Sequence, residues 1–105
     1  MFDKLQAIEE RYNEVLELLN RPEVISDQNQ FRKLMKEQSD LTPIVEAYRQ
    51  YQKDKQTIDD SLEILDEESD EEMRELAKEE MNEAREDLAA TEEKLKILLL
   101  PKDEN

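Results

Sequence analysis

Apolar side chains recur along this chain at steps of three and four residues, the spacing that lines up one face of an α-helix. Leu5, Ile8, Tyr12, Val15 and Leu19 form a first stripe, widened by Phe2 and Leu16. A second runs through Phe31, Leu34, Leu41, Val45, Tyr48, Tyr51, Ile58, Leu62 and Leu65. A third runs through Met73, Ala77, Met81, Ala84, Leu88, Thr91, Leu95 and Leu98. The pattern predicts helices over about 3–20, 27–65 and 69–100.

Stop and start signals fall between the stripes. Asp3 followed by Gln6 reads as a capping box, and Asn20-Arg21-Pro22 ends the first helix because a residue preceding proline avoids helical backbone angles. Ser26 or Asp27 can cap the second helix, with Gln30 three residues beyond Asp27. Ser69 with Glu72 fits a capping box for the third, after the apolar-free stretch Asp66–Asp70, and Pro101 stops it. Pro43 leaves two alternatives. Either a kinked helix continues through it, or the helix breaks and restarts with Thr42 as cap and Pro43 in the first turn.

Stripes near a 3.5-residue period over several heptads predict an all-α fold, an elongated three-helix antiparallel coiled-coil hairpin or bundle. Small residues Ala77, Ala84 and Ala89 or Ala90 permit close approach along the third helix. At 105 residues, 43% charged and 36% hydrophobic with no glycine, the composition suits long solvated helices in one domain.

Residues that are missing restrict the chemistry. Without histidine, cysteine or glycine, the chain lacks the usual general base, the thiolate ligands and the phosphate-cradling loops. A calcium loop at Asp66, Glu68, Asp70 and Glu72 fails, because glycine is needed where Glu71 stands and glutamate where Ala77 stands. Di-metal bundle sites need histidine, and paired carboxylates need a cleft that these polar faces do not offer. The expectation is no catalytic residue, no cofactor and no metal.

The net charge of −15 opposes direct binding to nucleic acid and favours a basic protein surface as partner. Between Asp66 and Asp87, twelve acidic residues face three basic ones. Glu75, Glu79, Glu83 and Asp87 form a like-charged column at four-residue spacing, which the helix dipole does not explain. Such a column is most simply a solvated face, and the functional alternative is a partner-facing acidic strip. Tyr12, Tyr48, Tyr51 and Phe31 lie on or beside the stripes and read as core. No membrane span or signal peptide is expected, since the longest apolar run is Ile97–Leu100. Residual apolar surface leaves self-association of the hairpin open.

Several words of the sequence, taken in order, carry a resemblance. They are Met1-Phe-Asp-Lys-Leu, Arg-Pro-Glu-Val-Ile-Ser-Asp from Arg21 to Asp27, Lys-Glu-Gln-Ser-Asp-Leu from Lys36 to Leu41, Pro-Ile-Val-Glu-Ala-Tyr from Pro43 to Tyr48, and Leu-Leu-Leu-Pro-Lys-Asp from Leu98 to Asp103. Across essentially the whole chain this resembles the opening of the bacterial peptide chain release factors of type 1. The resemblance implies a cytoplasmic translation-termination factor that reads UAA and UAG and promotes peptidyl-tRNA hydrolysis on the ribosome. It further implies a helical first domain directed at the stalk base of the large subunit and the translational GTPase region. In such factors a Pro-x-Thr tripeptide reads the codon and a Gly-Gly-Gln motif acts at the peptidyl transferase centre, and neither is present here. By the same resemblance 101–105 is a linker stub to further domains. The rival reading is an autonomous acidic coiled-coil adaptor or helical chaperone arm, and a more remote one is an acidic mimic of nucleic acid.

Overall fold

The computed structural model describes residues 1–101; the expected linker stub beyond Pro101 lies outside the described residues. Every regular element among them is an α-helix: α1 (Phe2–Leu18), α2 (Pro22–Ile25), α3 (Gln28–Glu67) and α4 (Glu71–Leu98). The chain divides into two compact units, Met1–Glu46 and Ala47–Asn105, and α3 contributes to both.

In the first unit, α1 runs antiparallel to the opening of α3. Tyr12 meets Thr42, while Val15, three residues further along, clusters with Leu34. The first stripe buries Leu5 and Val15 against this side, with Ile8, Tyr12 and Leu19 half-buried. Asp3 does not cap α1: the cap position is Met1 with no side-chain bond, and Asp3 sits in the first turn, where a negative charge opposes the helix dipole favourably.

Pro22 does more than terminate α1. Arg21, forced extended before proline (φ −81°, ψ 132°), ends the turn after Leu18, and Pro22 occupies the first position of the single-turn α2. That turn drops Val24 into a cluster with Val15 and Leu34, edged by Leu18, Leu19 and Phe31. A connection whose only apolar side chains besides Pro22 are the adjacent Val24 and Ile25 has no helical period, so α2 is invisible to stripe reading. Asp27 then begins α3 as expected, its Oδ1 accepting the Gln30 N–H at 3.2 Å.

Pro43 lies inside α3, which continues unbroken through it. Of the two alternatives, the continuous helix is the one formed. Thr42 is therefore no cap; its hydroxyl donates to the carbonyl of Gln38 one turn back, at 2.7 Å. Pro43 is exposed, so the carbonyl that its ring leaves without an amide donor lies on the solvent side.

In the second unit, α3 and α4 form an antiparallel pair: Gln50 bonds Asp87 near one end, and Arg74 bonds Leu65 and Glu68 near the other. On α4 the inward positions are Ala77, Met81, Ala84, Leu88, Thr91, Leu95 and Leu98, with strict steps of four and three. On α3 they are Tyr48, Tyr51, Asp54, Ile58, Ser61 and Leu65. These are heptad seams of coiled-coil type. Two expectations shift here. Leu62 is exposed and Ser61 takes the inward place at 1% exposure, because the seam requires a step of three from Ile58. Met73 is also exposed, one turn before the seam closes at Ala77.

The expected Ser69 cap is displaced by one residue. Asp70 is the cap, extended and without a side-chain cap bond, and its own N–H donates to Glu68 Oε1 at 3.1 Å. Arg74 compensates from α4 by donating to the carbonyls of Leu65 and Glu68, which the end of α3 leaves without helical partners.

Candidate functional site

Two features of the second unit stand apart from helix packing, and both involve the acidic column. Glu75, Glu79, Glu83 and Asp87 are all exposed on α4, but the fold separates them into two pairs.

Glu75 and Glu79, with Glu71, Glu72, Met73 and Leu76, line a shallow depression on α4. Both apolar side chains are about half exposed. Glu75 pairs across the surface with Lys78 at 3.5 Å, a contact of little energetic weight. The result is an apolar spot flanked along one side by carboxylates, complementary to a partner that offers apolar side chains beside lysine or arginine.

Glu83 and Asp87 instead border a polar groove against α3, shared with Gln50, Lys53, Asp54 and Thr57. Asp54 sits in the seam at 6% exposure. Its Oδ1 accepts from Gln50 Nε2 at 3.1 Å, and the same amide donates to Asp87 Oδ2 at 3.0 Å, so one side chain ties the two carboxylates together. Asp54 Oδ2 is buried with no hydrogen-bond partner.

Burial pushes the Asp54 carboxyl up to about 6; a hydrogen bond with Asp87 and the charge of that neighbour act in the same direction, against Gln50 and Lys53. Asp87 moves the other way, held below the usual carboxylate range by its hydrogen bonds with Asp54 and Gln50. The opposed shifts make Asp54 the acid of the two that holds its proton to the higher pH.

The sequence reading missed Asp54 and Gln50. The signal was available: Asp54 follows Tyr51 by three residues and precedes Ile58 by four, so it fills an inward place that a purely apolar stripe leaves blank. Tyr48 is buried and Tyr12, Tyr51 and Phe31 are half-buried along the helix contacts. Among the described residues, no group of three histidine, cysteine or acidic side chains could hold a metal ion, and no helix is long and apolar enough to cross a membrane.

The fold and surface define an all-helical acidic module whose polar groups either hold helices together or face outward. Residues 8–105 match the PCRF domain, and the chain belongs to that family. It is 62% identical over all 105 residues to peptide chain release factor 1 of Agathobacter rectalis, 58% identical to that of Lachnoclostridium phytofermentans and 51% identical to that of Listeria welshimeri. Each match covers 100% of this chain and 29% of the relative, so the chain spans less than a third of the length of these proteins. No solved structure matches it.

Proposed function

We propose that this chain is the amino-terminal part of a peptide chain release factor of type 1, acting in the cytoplasm in termination at UAA and UAG, and that it serves there as a docking module without catalytic chemistry of its own. The observation that carries this reading is the 62% identity, over the full chain, to a protein named peptide chain release factor 1. The non-catalytic role is supported by what the residues are: no histidine, cysteine or glycine, and carboxylates committed to a helix seam or to an exposed face.

The docking surface is the acid-flanked depression at Met73 and Leu76 on α4. Its partner is the stalk-base and translational GTPase region of the ribosome, where apolar contacts with a basic surround would fit it. The test uses a full-length factor carrying this segment, compared with one lacking residues 1–100, in peptide release on ribosomes programmed with UAA or UAG. Measurable release is expected to survive the deletion, with weaker ribosome association. Complete loss of release by a shortened protein that is still folded would refute an accessory role. Charge reversal at Glu75 and Glu79 should weaken association more at low salt than at high salt, and unchanged association would remove the depression from the interface.

A further inference from the structure

We propose that Asp54 and Asp87 form a proton-operated clamp between α3 and α4, in which one shared proton closes the contact and its loss loosens this stretch of the helix pair. The geometry carries the idea. Gln50 satisfies one oxygen of each carboxylate, and the remaining Asp54 oxygen is buried with no donor in reach. A proton on either acid supplies the missing donor. Once both acids ionise, two negative charges face each other in a seam that excludes water from one of them.

The surroundings do not neutralise a second charge. From α4, Glu80, Glu83 and Asp87 border the groove and add negative potential; from α3, Lys53 is the single opposing cation among the groove residues. The titration directions agree with this arrangement, Asp54 being raised to about 6 and Asp87 lowered. A carboxyl whose folded value lies above its unfolded one adds stability that is full below the unfolded value and is lost as pH rises through the folded one. For Asp54 the window runs from 3.8 to about 6. Asp87 contributes oppositely, losing its stabilisation only under stronger acid. A seam acid that served helix register alone would hold the helices equally at pH 5 and pH 7.5.

Asp54→Asn tests the clamp in the 105-residue chain, because its amide mimics the protonated acid and can donate to Asp87 at any pH. Thermal unfolding of both proteins at pH 5 and pH 7.5 should show similar midpoints at pH 5 and a higher midpoint for the variant at pH 7.5. A difference that does not change between the two pH values overturns the clamp. The carboxyl carbon of Asp54, followed by NMR in the unsubstituted chain, gives a readout that does not depend on the variant folding. A titration midpoint near 6 that falls in Asp87→Asn supports the shared proton, whereas a midpoint in the ordinary carboxylate range excludes it.

Discussion

Arg11 on α1 grips Glu37 on α3 with two parallel hydrogen bonds, Nε to Oε2 at 2.6 Å and Nη2 to Oε1 at 2.8 Å. The planar guanidinium matches the carboxylate edge, a geometry that lysine cannot reproduce. The hydrogen bond from Arg11 is the main cause holding Glu37 below the usual carboxylate range. Because both side chains are roughly a third exposed, the pair is worth only about 1 kcal/mol. Arg11→Lys should lose most of that in a urea titration. The folded value of Glu37 is depressed, so its contribution is present above the unfolded value and disappears as pH falls through the folded one. The deficit of the variant should therefore shrink toward acid pH, and a deficit independent of pH would contradict the assignment.

Pro43 costs α3 a backbone hydrogen bond without ending it. Pro43→Ala should stabilise the chain by about 1–3 kcal/mol, the helix-interior penalty reduced by the freer unfolded chain. A rise in the urea midpoint with an unchanged slope would show this, and a fall would mean that the proline is required where it stands.

Ser61 is nearly inaccessible in the seam between α3 and α4. Ser61→Leu would extend the apolar stripe as a sequence pattern, yet it should destabilise by about 1–3 kcal/mol, since close-packed helices have no room for the added carbons. A stabilised Ser61→Leu protein, measured by thermal unfolding, would mean that space exists there.

Arg74 closes the end of α3 from the first turns of α4. Arg74→Ala leaves two carbonyls without that donor and should cost about 1–2 kcal/mol. Amide hydrogen exchange should quicken first around residues 64–74, and uniform acceleration across both units would argue against a local cap.

The column from Glu75 to Asp87 shows how far a linear pattern reaches. Four acids at four-residue spacing were plain in the sequence, but their separation into a pair beside Leu76 and a pair bordering the groove with Asp54 was not. Four residues exceed one helical turn of 3.6 residues by about 40°, so each step rotates around the axis until Asp87 faces α3. Which residue then awaits it depends on the register between two helices, a contact across 33 residues of chain from Asp54.

The sequence by itself determined the helices, because apolar periodicity and proline placement act within a few residues: the three stripes became α1, α3 and α4, and Asp27 capped α3. It also carried the family resemblance. Only the tertiary structure decided that Pro43 is tolerated, that Val24 turns a connection into α2, and that Ser61 replaces Leu62 in the seam. Local propensities differ by amounts of the order of 1 kcal/mol per residue, and packing against a distant helix overrides them. A proton shared between two helices has no local signature at all, since neither aspartate is unusual until the other is beside it.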